Sequence, residues 1–155
     1  MRVICACLIA VCIPDTAIGQ RLAPLPEFRV EFIGGDPWYL LAGAGATLPA
    51  GVYTRLGLNG AIGVAKTDSA TRTAARIDGT VRFLLDPFRQ SNFGLYGLAG
   101  VSGMFRETDG WTPRVLLGLG LEGKVRRGMA SSVEVALGGG ARVSLVLRRA
   151  RPDRR

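Results

Sequence analysis

Through most of the chain after residue 50, apolar and polar positions alternate with period two. Between Gly51 and Lys66 the even positions carry Val52, Thr54, Leu56, Leu58, Gly60, Ile62 and Val64. The odd positions carry Tyr53, Arg55, Gly57, Asn59, Ala61, Gly63 and Ala65. Successive side chains on a strand point to opposite faces, so this pattern predicts a strand with one apolar and one polar or very small side. The phase returns after Asp68-Ser69. Arg72, Ala74, Arg76, Asp78, Thr80 and Arg82 share one face, against Thr73, Ala75, Ile77, Gly79, Val81 and Phe83. Farther on, Trp111, Val115, Leu117, Leu119 and Leu121 oppose Arg114, Gly118, Gly120, Glu122 and Lys124. From Ser132 to Arg148, Val133, Val135, Leu137, Val143, Leu145 and Leu147 oppose Ser132, Glu134, Gly138, Gly140, Arg142 and Ser144.

Three further segments fit the scheme. Phe28, Val30 and Phe32 alternate with Arg29 and Glu31 in a first short strand. Trp38 to Thr47 reads as a strand packed with small residues, and 92–105 as a glycine-rich strand with both faces apolar or small. Turn signals separate the segments: Gly34-Gly35-Asp36-Pro37, Leu48-Pro49-Ala50-Gly51, Asp86-Pro87, Thr108-Asp109-Gly110 and Arg126-Arg127-Gly128. Downstream of the first 19 residues no apolar stripe with helical spacing emerges. Transmembrane strands need about 9–11 residues, whereas strands of soluble proteins usually run to about 5–6. Long strands joined by short turns predict an all-β, antiparallel up-and-down barrel over 27–148. There are seven segments, or eight if Gly138-Gly139-Gly140 hides a turn. Bacterial barrels have even strand numbers, so eight is expected, and six if the early segments merge or leave the sheet.

The first 19 residues have the layout of a secretory signal peptide. Arg2 precedes a short apolar run from Val3 to Ile13, and Ala17-Ile18-Gly19 offers small residues before a cleavage ahead of Gln20. The run is too short to cross a bilayer as a helix. All three cysteines (Cys5, Cys7 and Cys12) lie within it, so the chain from Gln20 onward is free of cysteine and of disulfide chemistry. Residues 20–26 form a proline-broken lead-in and 149–155 a basic tail that is either solvated or held by lipid phosphates.

Net charge is +8, carried mostly by arginine, because Lys66 and Lys124 are the only lysines. A basic chain has affinity for nucleic acid, anionic lipid or acidic glycolipid. Here the charges are spread through alternating strands and no nucleic-acid-binding motif is present, which turns the expectation toward barrel lining and membrane edge. Aromatic residues cluster near predicted strand ends: Trp38, Tyr39, Tyr53, Phe83, Phe93, Phe105 and Trp111, with Tyr96 farther in. Belts at two membrane interfaces predict that distribution.

Candidate chemistry is sparse. The chain has no histidine, which removes the usual catalytic base and the commonest metal ligand. Gly100-Val101-Ser102-Gly103 has its second glycine one residue early for a nucleophile elbow. Gly118-Leu119-Gly120-Leu121-Glu122-Gly123-Lys124 matches a dinucleotide fingerprint and most of a phosphate loop, but its glycines are in phase with a strand and Val125 follows the lysine. Both motifs require a helix N-terminus at that point. Neither a catalytic, a cofactor nor a metal site is therefore expected. The polar faces instead predict an internal ion-pair network of Arg55, Arg76, Asp78, Arg82, Arg114, Glu122, Glu134 and Arg142. An eight-stranded barrel is just wide enough for side chains to fill it, and buried charges need partners.

The leader, the glycine-rich alternating strands Gly51–Lys66 and Trp111–Lys124 and the cysteine-free remainder give a chain that resembles the small outer-membrane β-barrel proteins of the OmpA/OmpX-like class over residues 28–148. The resemblance implies a non-enzymatic structural, adhesive or stress-related surface protein in the outer membrane. It also implies contact with outer-membrane lipid or lipopolysaccharide, and passage through the barrel-assembly machinery. Members usually finish on a terminal aromatic, whereas this chain follows Leu147 with arginines. They also commonly carry long loops, and the short turns here argue against adhesion. Val52, Leu56, Leu58, Ile62, Val64, Val115, Leu117, Leu119, Val133, Val135 and Leu145 are expected to face lipid. The alternative is a soluble periplasmic, lipocalin-like barrel whose apolar face points inward to a small ligand. A lipid-modifying barrel enzyme is disfavoured by the missing histidine.

Overall fold

The computed structural model describes residues 23–67, 70–88, 92–107 and 109–150. The predicted signal peptide and residues 151–155 of the basic tail lie outside them. Eight strands follow one another: β1 (Leu25–Gly34), β2 (Trp38–Pro49), β3 (Thr54–Lys66), β4 (Thr71–Leu84), β5 (Gly94–Arg106), β6 (Gly110–Glu122), β7 (Met129–Leu137) and β8 (Ala141–Arg149). Each pairs antiparallel with the next, and β8 closes the barrel on β1 with Glu27 opposite Arg148 and Phe32 opposite Val143. Gly138-Gly139-Gly140 is a turn: positive φ at Gly139 and Gly140 lets the chain reverse, and it supplies the eighth strand.

Several boundaries differ from the sequence pattern, and β1 already begins at Leu25, within the expected lead-in. The alternation that opens at Val52 is not strand until Thr54, because Gly51, with φ of 121°, turns the chain and the Ala50 N–H donates to the Thr54 carbonyl at 2.9 Å. Arg149, expected in the tail, is the last residue of β8 and pairs with Met129. The β6–β7 pairing covers only Leu117–Glu122 of β6. The stretch of β6 nearer Gly110 therefore has no strand partner on that side, and Pro113 sits within it. A proline is tolerated there, and it also blunts the bare edge against pairing with another chain.

Ile62, Val115 and Leu137 are 70%, 68% and 68% exposed, whereas Arg29, Arg76 and Arg142 are each 2% exposed. This inverts the ordinary protein interior. Large apolar side chains turn outward, and the charged faces of β1, β4, β6, β7 and β8 turn into the lumen. Thirty-two large apolar side chains are exposed among the described residues. Soluble monomers rarely expose contiguous apolar patches beyond a few hundred Å². At the end opposite the chain termini, the lumen is filled by Ile33, Tyr39, Leu41, Ala61, Ala65, Ala74 and Met104.

Aromatic side chains gather at both rims. Phe32 with Trp38 and Phe105 with Trp111 lie toward one end, at centroid distances of 6.0 and 5.6 Å. Tyr53 with Phe83 and Phe88 lies at the other, at 6.0 and 6.5 Å. Tyr39 departs from the belt expected of it. It is buried in the lumen, because β2 places Trp38 and Leu40 in the outward phase.

Candidate functional site

The lumen is the best-organised polar site of the molecule, and strand phase builds it. Period-two alternation delivers Glu27, Arg29 and Glu31 from β1, Arg76, Asp78 and Arg82 from β4, Glu122 from β6, Glu134 from β7, and Arg142 and Arg148 from β8, all to the inner face. Arg55 of β3 is half-buried at the terminal end.

Arg82 is the hub of the central group. Its NH1 and NH2 donate to Oε2 and Oε1 of Glu27 at 2.8 and 3.0 Å, and its Nε donates to Glu134 Oε1 at 2.9 Å. Glu27 also accepts from the Thr47 hydroxyl at 2.6 Å. Glu134 accepts further bonds from Arg29 NH2 at 3.0 Å and from the Tyr96 hydroxyl at 2.9 Å. One guanidinium thus ties β4 to β1 and β7 across the barrel.

A second group lies toward the opposite end. Arg142 NH2 sits 2.8 Å from Glu31 Oε2 and 3.1 Å from Asp78 Oδ2, and the Ser144 hydroxyl donates to Glu31 at 3.3 Å. Arg76 Nε lies 3.0 Å from Asp78 Oδ1, and its NH2 contacts Glu31. Arg29 joins the two groups, with NH1 3.7 Å from Asp78. A third group closes the terminal end, where Glu122 Oε2 accepts from Arg55 NH1 at 2.8 Å and Arg148 NH2 at 2.6 Å. Six arginines therefore meet five carboxylates: Glu27, Glu122 and Glu134 each lie against two guanidinium groups, and Glu31 and Asp78 against three.

The structure places seven of the eight residues singled out from sequence in these clusters: Arg55, Arg76, Asp78, Arg82, Glu122, Glu134 and Arg142. Arg114 is on the inward phase of β6 but only half-buried, with its side chain lying against Gly139 of the β7–β8 turn. Sequence reasoning missed Glu27, Glu31, Arg29, Arg148 and Tyr96 as network members. Arg29 and Glu31 alternate with Phe28, Val30 and Phe32, so the signal was present. Arg148 keeps the phase of Arg142 and Ser144.

Small residues make room for large ones across the lumen. Tyr96 and Gly120 are register partners on β5 and β6, and a Cβ at Gly120 would overlap the Tyr96 ring. The glycine seats the ring so that its hydroxyl reaches Glu134. Gly120→Ala is expected to cost about 1–3 kcal/mol through overpacking. Denaturant unfolding measures it. The loss should vanish in a Tyr96→Ala background, and an equal loss in both backgrounds would contradict this packing.

The glycine motifs carry no phosphate cradle. Gly118, Gly120 and Glu122 lie within β6, and Ser102 is buried on the inner face of β5. Among the described residues no group of three His, Cys, Asp or Glu side chains is placed to hold a metal. No helix among them is long and apolar enough to cross a membrane, which says nothing of strands.

No protein-family profile and no curated protein matches this chain. Among solved structures, one reported under the heading of de novo design of transmembrane β-barrels superimposes with a TM-score of 0.52. It is 15% identical, and the match covers 84% of this chain and 97% of that one. The two share a fold. At that identity the likeness extends to the architecture of the barrel and no further.

Proposed function

We propose that this protein is a non-enzymatic integral outer-membrane β-barrel with a structural role in the cell envelope. One observation carries the reading: apolar residues cover the outside of a closed sheet while ion pairs occupy its lumen. In a bilayer every backbone polar group must be satisfied within the protein, and a closed barrel does this. Two aromatic rims at the strand ends suit the two membrane interfaces. The lipocalin-like alternative requires an apolar inner lining open to a ligand, and here paired arginines and carboxylates occupy the middle and the terminal end of the lumen while apolar side chains fill the other end. The pairing of each inner carboxylate also speaks against enzymatic work, since none is left as a base. The predicted leader and the resemblance supply the outer membrane as destination, with the barrel-assembly machinery as a transient partner and membrane lipid as the lasting one.

Fractionation tests this. The protein should stay with membranes through carbonate extraction and migrate differently on gels before and after boiling. Recovery as a freely soluble periplasmic protein would reject the proposal.

A further inference from the structure

The two rims of the barrel differ in charge. At the end opposite the termini, Lys66, Arg72 and Arg106 are balanced by Asp36, Glu107 and Asp109, and Arg106 pairs with Asp109. At the terminal end, Lys124, Arg126, Arg127 and Arg149 are exposed, and Asp86 is the one acidic side chain described in the connections there.

The basic rim adjoins a defect in the apolar belt. Leu121, Val133, Leu145 and Leu147 surround a groove of about 450 Å³, with Phe93 of the β4–β5 connection on its border. The groove lies where Ser131 takes an outward position of β7, whose other outward positions hold the larger Met129, Val133, Val135 and Leu137. Gly123 beside it adds no side chain, and its N–H donates to the Ser131 carbonyl at 2.8 Å. A second cavity of about 490 Å³ shares Phe93, Gly123 and Ser131 with the first and adds Asn92, Lys124 and Arg126. An apolar slot thus runs continuously into a mouth that carries two cations.

Arg126 is held in place by backbone. Its N–H and carbonyl exchange bonds of 2.8 and 2.9 Å with Met129 across a two-residue turn, and Arg127 and Gly128 both take positive φ. Turns of that kind match the twist of the flanking strands, so the cation projects from a fixed point.

We propose that this groove is a binding site for one anionic phospholipid, with an acyl chain against Leu121, Val133 and Leu147 and the phosphate on Lys124 and Arg126. Charge complementarity selects the occupant. The slot accepts any hydrocarbon chain, but a zwitterionic headgroup offers no net charge to the paired cations, and basic residues at a membrane surface favour anionic lipid. The inference rests on the membrane reading above, because the slot opens on the lipid-facing side.

Nanodiscs of phosphatidylcholine with a minority of phosphatidylglycerol, followed by native mass spectrometry of the released full chain, test it. One phosphatidylglycerol should remain bound where phosphatidylcholine does not. The K124Q/R126Q double variant should lower that retention by about tenfold or more. Ser131→Leu, which fills the slot without touching a charge, should lower it as well. A K66Q/R72Q variant at the balanced rim should leave it unchanged. Equal retention of the two lipids, or undiminished retention in K124Q/R126Q, overturns the site and leaves the membrane barrel standing. Failure of the wild-type chain to enter nanodiscs overturns both.

Discussion

Arg82→Met is expected to lower the unfolding free energy of the barrel by about 3–5 kcal/mol, the usual cost of breaking a buried ion pair from one side. The methionine fills most of the volume but leaves Glu27 without its two-pronged partner and removes one of the cations that hold Glu134. Both carboxylates lie in the lumen, at 0% and 1% exposure, so water does not replace the lost bonds. Denaturant unfolding of the reconstituted protein measures the effect, and the midpoint should fall with little change in slope. The double variant R82M/E27Q should recover part of the loss, because it removes one of the orphaned charges. A loss below about 1 kcal/mol, the range of exposed ion pairs, would show that the lumen is solvated.

The second large effect lies on the outer face. Leu117 is midway along β6 and 59% exposed. In water, an arginine at such a position is close to neutral for stability. In a bilayer, an arginine on the lipid face near the midplane costs about 2–4 kcal/mol, falling to about 0–1 near the interfaces. Leu117→Arg should therefore destabilise the vesicle-embedded barrel severely. Val64→Arg, close to the end of β3, should do so mildly. A Leu117→Arg variant that folds as stably as its parent in vesicles would be evidence that no hydrocarbon touches this face.

Much of the fold was legible because alternation with period two is a local property. In β3, β4, β6, β7 and β8, large apolar residues keep one phase and charges or glycines the other, so the residues themselves say which face is which. Where both phases are small or apolar, as in β2 and β5, that signal disappears. Tyr39 and Tyr96 point into the lumen, and only pairing with neighbouring strands reveals it. The eighth strand depended on recognising a turn in three glycines, which strand-forming residues flank on both sides.

The lumen was half legible. Phase identifies which charges enter, but which arginine meets which carboxylate depends on the stagger of strands around the barrel. Arg82 and Glu134 are 52 residues apart and come from strands that do not pair with each other. Arg148 ends the alternation that starts at Ser132, but its partner became visible only with the register of β8 against β1, which puts it opposite Glu27 and within reach of Glu122. The groove at Ser131 had no sequence signature. It arises where a small outward residue, a glycine and the phenylalanine of another connection meet.

A closed sheet that carries its apolar face into lipid holds position 117 among the acyl chains. A single tryptophan at position 117, in a chain with Trp38 and Trp111 changed to phenylalanine, tests it in vesicles of bromine-labelled phosphatidylcholine. Quenching should be strongest for bromines deep in the acyl chains, and the indole should be protected from aqueous iodide. Fluorescence open to iodide and indifferent to the bromines would contradict it.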